Sequence, residues 1–145
     1  MKRNIFILIL FIPVLKTIRE IQSLSNTFSL KEDGIIEIQP IPGWNDTPRL
    51  EHAIKDMECL ALLNEGTLYP NLCFLADAMI NREIREYYAN HVPLSIGSAL
   101  IVRSSFQRIL GNFFIGLNKV KVPIRLFTDA SEARIWLLKL KQKNE

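Results

Sequence analysis

The sequence is poor in the residues that hold metals or carry nucleophilic chemistry. Its two cysteines, Cys59 and Cys73, form no C-x-x-C pair, and neither stands at metal-ligand spacing from a histidine, so no zinc site or dithiol motif is encoded. Cys59 falls in a helical pattern and Cys73 inside an apolar strand run, and both read as buried, reduced core residues. A glycine-rich phosphate loop, a Walker pattern and a G-x-S-x-G elbow are all missing. Charge of one sign is also in short supply: 18 basic against 15 acidic residues leave a formal net charge of +3, well short of the clustered excess of a dedicated nucleic-acid binder. No cofactor, metal or nucleic acid is therefore expected. A length of 145 residues gives room for one domain with one sizeable core.

What the sequence does contain begins with an apolar run. Lys2 and Arg3 precede Ile5-Phe6-Ile7-Leu8-Ile9-Leu10-Phe11-Ile12-Pro13-Val14-Leu15, in the order of a secretory signal or short membrane anchor. The run falls short of the roughly 20 residues a spanning helix needs, Pro13 interrupts it, and no small-x-small cleavage pattern follows. Three readings stay open: an upstream extension from a misassigned start, a signal or anchor, and a folded element that Lys16-Thr17-Ile18-Arg19-Glu20-Ile21-Gln22 extends as a helix. Residues 1–22 are accordingly set apart from a single domain at 23–145. The expected location is cytoplasmic, with membrane contact or export only if residues 5–15 are a genuine anchor.

Beyond this segment the grammar is α/β. Thr27-Phe28-Ser29-Leu30-Lys31 and Ile35-Ile36-Glu37-Ile38-Gln39 alternate around Asp33-Gly34, which predicts an antiparallel hairpin. Thr47 and Pro48 read as N-cap and first turn of a helix whose Leu50, Ala53, Ile54, Met57 and Ala61 face inward, running to Asn64 with Gly66 as its stop. From Tyr69 strands and helices alternate, which argues for parallel pairing. Leu72-Cys73-Phe74-Leu75-Ala76 and Ala99-Leu100-Ile101-Val102 are apolar without a polar face, as strands covered on both sides are. A helix starts near Asn81 and turns Ile84, Tyr87 and Tyr88 inward. Ser104 and Gln107 form a capping box for a second helix, on which Phe106, Ile109, Leu110, Phe113, Phe114 and Leu117 repeat at helical spacing. Gly111 and Gly116 inside it imply close packing on a neighbour. Pro123 introduces the strand Ile124-Arg125-Leu126-Phe127-Thr128, and Asp129 with Glu132 caps a last helix with Ala133, Trp136, Leu137 and Leu140 on its apolar stripe. Lys139, Lys141 and Lys143 gather near its carboxyl end, where they complement the helix dipole.

The stretch from Ile109-Leu110-Gly111-Asn112-Phe113-Phe114 through Asn118-Lys119, then Val122-Pro123-Ile124-Arg125-Leu126-Phe127-Thr128-Asp129, Glu132-Ala133 and Trp136-Leu137, resembles a bacterial family of unknown function. That family is grouped with the STAS/SpoIIAA-like domains and is common in Bacteroidota. The likeness reaches upstream through Tyr69-Pro70, Asp77 and Arg82-Glu83-Ile84-Arg85, and covers about four-fifths of the chain. It implies a mixed sheet with an N-terminal β-hairpin followed by alternating helices and strands. It also implies a regulatory role, because STAS domains that antagonise anti-sigma factors switch by phosphorylation of a serine in an Asp-x-Ser-Gly pattern. Here Asp77 stands at the matching strand end but Ala78-Met79-Ile80-Asn81 follows, with neither hydroxyl nor glycine. The phosphoswitch is absent from this chain.

Each polar candidate has a plain alternative. Asp77 is either a functional carboxylate at a strand end or a loop cap. Arg82 and Arg85 either hold an anionic group or form a solvated face with Glu83 and Glu86. His52 and His91 lie on different elements with no nucleophile near, which fits surface or helix-end roles. Ser104 and Ser105 cap a helix or bind phosphate at its N-terminus. Lys119, Lys121 and Arg125 make a small basic patch without an interleaved aromatic platform.

The reading that follows is a non-enzymatic regulatory or protein-interaction domain, meeting another protein or a second copy of itself through the edge of Asp77, Asn81, Arg82 and Arg85. A different class is the alternative: a small-ligand or lipid-binding module with an apolar pocket under the helix of residues 106–117, lined by Phe106, Leu110, Phe113 and Phe114.

Overall fold

The computed structural model describes residues 14–91, 94–117 and 122–145. Six strands form one mixed sheet in sequential order: β1 (Thr17–Gln22), β2 (Asn26–Lys31), β3 (Ile36–Pro40), β4 (Asn71–Phe74), β5 (Ser98–Ile101) and β6 (Ile124–Phe127). The first three run antiparallel and the last four parallel. Among the described residues four helices accompany them: α1 (Leu50–Asn64), α2 (Arg82–Asn90), α3 (Ser105–Leu117) and α4 (Ala130–Lys143). The hairpin at Asp33-Gly34 and the switch to parallel pairing after Tyr69 follow the pattern of the sequence. The Lys16-to-Gln22 stretch does not. Instead of extending a helix it is the edge strand β1, whose pairing with β2 decides the conformation of a short segment with weak periodicity. The apolar run up to Pro13 lies outside the described residues.

The two faces of the sheet are covered differently. On one, α4 sets Ala133 and Leu137 against Ile35, Leu72, Ala99 and Ile101, a core with almost no residual exposure. Arg134 ties this helix to the hairpin: Nε and Nη2 donate to the two oxygens of Asp33 at 2.6 and 3.2 Å, and Nη1 donates to Glu37 Oε2 at 3.2 Å. Lys141 Nζ adds a bond to the carbonyl of Asp33 at 3.0 Å.

The opposite face carries α1, α2 and α3. Helix α1 packs Cys59, Leu60 and Leu63 on Phe28, Leu30 and Ile36. Its start differs from the expected Thr47-Pro48: Arg49 is the N-cap residue, and its N–H donates to His52 Nδ1 at 2.8 Å. His52 is therefore a helix-end residue, but buried (6 % exposed) rather than on the surface. The helix ends at Glu65 and Gly66, both at positive φ. Ala61, expected inside, is exposed. Helix α3 lies against β6, where a Cβ on Gly111 would stand 2.6 Å from Leu126 Cδ2, so this glycine lets the helix approach the sheet. Gly116 has no such neighbour among the described residues, and Ile109, on the expected apolar stripe, is 69 % exposed. The stripe is narrower than the apolar spacing implies. Helix α2 packs on α1 and α3 rather than on the strands, so it bridges the two outer helices and stands off the sheet.

Candidate functional site

The space under α2 is a cavity of about 330 Å³. Its floor is the sheet, through Phe28, Ile38, Cys73, Leu100 and Ile124, which alternate along their strands with the residues that face α4. Ala53, Met57 and Leu60 of α1, Ile84 and Tyr88 of α2, and Leu110 and Phe114 of α3 line its other side. Tyr88 and Phe114 meet edge to face with ring centroids 5.7 Å apart. Trp44 and His52 stand on its rim, also edge to face, at 5.6 Å.

A few polar groups interrupt the apolar wall. Asp56 projects from α1, held by a hydrogen bond from Ser23 Oγ to Oδ1 and one from Asn26 Nδ2 to Oδ2 at 3.0 Å. Burial pushes its carboxyl above the ordinary aspartate value, and the two donors oppose that shift. Cys73 is pushed up to about 12, first by desolvation and then by the charge of Asp56, so this thiol is not a nucleophile at neutral pH. The phenol of Tyr88 rises for the same leading reason. Asn71 at the start of β4 is 4 % exposed, lies on the wall, and has an Oδ1 with no hydrogen-bond partner among the described residues. These groups bind and orient; none is activated for chemistry.

The residues singled out in the sequence separate into two sets. Leu110 and Phe114 line the cavity, whereas Phe106 does not and Phe113 lies under the guanidinium of Arg85, 5.4 Å from its ring centroid. The side chain of Leu117 lies outside what is described. At the edge, Asp77 accepts from Ser104 Oγ at 3.3 Å, Asn81 Oδ1 caps the N–H of Ile84 at 2.9 Å, and Arg82 pairs with Glu86 at 2.8 Å. Each of these four side chains is thus engaged within the chain. Ser104 Oγ accepts from the N–H of Gln107, and Gln107 reaches back to the N–H of Arg103 and across to the carbonyl of Leu75. His91 stacks on Tyr87 at the end of α2. Arg125 covers Phe127, while Lys119 and Lys121 of the basic patch lie outside the described residues.

Asn71 and Asp56 were not marked by the sequence. An asparagine opening a strand and an aspartate inside a helical repeat carry no spacing that points to a shared wall. Among the described residues no cluster of three potential metal ligands occurs, and no helix is long and apolar enough to cross a membrane.

Fold and cavity together define an α/β domain with a mixed six-stranded sheet and an apolar chamber on one face. Residues 28–141 match the family described as Domain of unknown function (DUF7793), and the chain belongs to that family. No curated protein and no solved structure matches it.

Proposed function

We propose that this chain is a non-enzymatic regulatory module of STAS/SpoIIAA-like type that works by binding a small, largely apolar molecule in the chamber beneath α2. The observation that carries the reading is the chamber itself: about 330 Å³ of apolar space with a handful of polar groups, within the roughly 300–1,000 Å³ of small-molecule sites. The STAS/SpoIIAA-like and bacterial assignment rests on the resemblance of residues 109–137 and on the hairpin followed by alternating helices and strands. A cytoplasmic setting fits two cysteines that are both free.

The test is thermal unfolding of the full chain with and without 1-decanol. Ligand at 100 times its Kd raises stability by about 2.7 kcal/mol, and Cys73→Phe, which fills the chamber, abolishes the rise while circular dichroism reports a folded chain. An unchanged midpoint across a panel of apolar molecules of this size rules the reading out.

A second reading, contact with another protein or a second copy through the edge at Asp77 to Arg85, draws on one observation. Met79 is 65 % exposed between Asp77 and Asn81, although its neighbours Ala78 and Ile80 line the chamber. An occupant therefore touches the segment that presents Met79. Pull-down of a defined protein that is lost on Met79→Asp with Arg82→Glu supports this reading, and unchanged capture counts against it.

A further inference from the structure

The polar groups on the chamber wall define which small molecule fits. Asn71 and Asn64 both have an Oδ1 without a partner among the described residues. Asn64, however, uses its Nδ2 to hold the carbonyl of Leu94 at 3.0 Å and is not part of the wall. Asn71 is on the wall, and its side chain makes no hydrogen bond to any described residue. A buried polar group left unpaired costs about 1–3 kcal/mol, which a ligand group that pairs with it recovers. Oδ1 is an acceptor, so the group that pairs with it is a donor, a hydroxyl or an amide N–H.

Charge on the wall excludes the commoner amphiphiles. Among the described residues no lysine or arginine faces the interior: Arg49 points to Asp46 and Glu51 in solvent, His52 spends Nδ1 on the N–H of Arg49, and His91 engages the carbonyl of Tyr87 through Nδ1. The interior charge is Asp56, which repels a carboxylate or phosphate head and whose two oxygens already accept from Ser23 and Asn26. An ammonium head meets a carboxylate whose two oxygens are already bonded to Ser23 and Asn26. Size completes the description, because a cavity of about 150 Å³ takes benzene. Twice that volume takes on the order of a dozen non-hydrogen atoms.

Resting on the binding reading above, we infer that the ligand is an uncharged molecule of about a dozen non-hydrogen atoms with an apolar body and one hydroxyl or amide N–H, which pairs with Asn71. Tyr88, kept as a neutral phenol by its burial, is a second donor on the same wall.

The test uses the full chain at pH 7 and four probes of matched length in calorimetric titration: 1-decanol, 1-methoxynonane, decanoate and decylammonium. Decanol binds about tenfold tighter than the ether, which accepts but cannot donate, and at least tenfold tighter than either ion. Asn71→Leu brings decanol to within about twofold of the ether and leaves ether binding in place. Equal affinity of decanol and ether on the unaltered chain, or tightest binding of either ion, overturns the inference while the binding reading stands. Absence of binding by all four overturns both. The probe series on the unaltered chain decides the matter even where Asn71→Leu fails to fold.

Discussion

The two faces of one sheet solve the packing problem differently. Among the described residues the strands under α4 meet one helix lying directly on β4, β5 and β6, and Ala133, Leu137, Ile35 and Ala99 show no exposure at all. On the other face three helices share the strands, and the middle one rests on its neighbours instead of on the sheet. The first face leaves its core side chains without exposure and the second lines an open cavity. The core beneath α4 is thus the closed one, and the face under α2 has room for something else.

The comparison breaks most sharply under truncation of a leucine on each side. Leu137→Ala removes atoms from a fully buried site and costs about 4–5 kcal/mol, whereas Leu100→Ala, beside an existing cavity, costs about 2–3 kcal/mol. Urea unfolding of both variants measures the gap, and equal losses erase the distinction between the faces. Next in size is Arg134→Ala. Its guanidinium and the carboxyls of Asp33 and Glu37 are only 16–19 % exposed, so removing it strands two acids and costs about 2–3 kcal/mol. Loss of that size in the thermal midpoint, with no effect on ligand binding, places this cluster on the structural side of the molecule.

The glycines of α3 give a smaller contrast. Gly116→Ala, where a Cβ meets nothing among the described residues, raises stability by about 0.5–1 kcal/mol through helix propensity. Gly111→Ala raises it less, because Leu126 Cδ2 must move aside. The difference is readable in the unfolding midpoints. Smallest is the effect of Asp56. Its folded-state pKa lies above the unfolded value, so the folded chain holds a proton more tightly, and stability is lost as pH rises from the ordinary aspartate range through the raised value. Asp56→Asn flattens that decline above the ordinary aspartate range, and a decline as steep as in the unaltered chain assigns it to other groups.

Much of this fold was legible because it is written locally. Asn81, Ser104 and Asp129 cap the helices where the sequence places them, since a cap needs only a short polar side chain and a free amide a few residues on. What was missed depends on partners distant in sequence. β1 becomes a strand because β2 offers it a ladder, and Arg134 finds Asp33 across 101 residues. Ile109 fits a helical stripe as well as Leu110 does, and only the placement of α3 against β6 separates the exposed residue from the wall residue. The chamber was least legible of all. Its walls read as ordinary core in every segment, and it exists because α2 is held away from the strands.

The most direct measurement is a methyl NMR titration of the full chain with 1-decanol. Resonances of Leu100, Leu110, Ile84 and Ile124 are expected to shift and saturate together, while those of Leu72, Ile101 and Leu137 beneath α4 stay in place. Shifts spread evenly over both faces, or none at any methyl of the chamber, would contradict this.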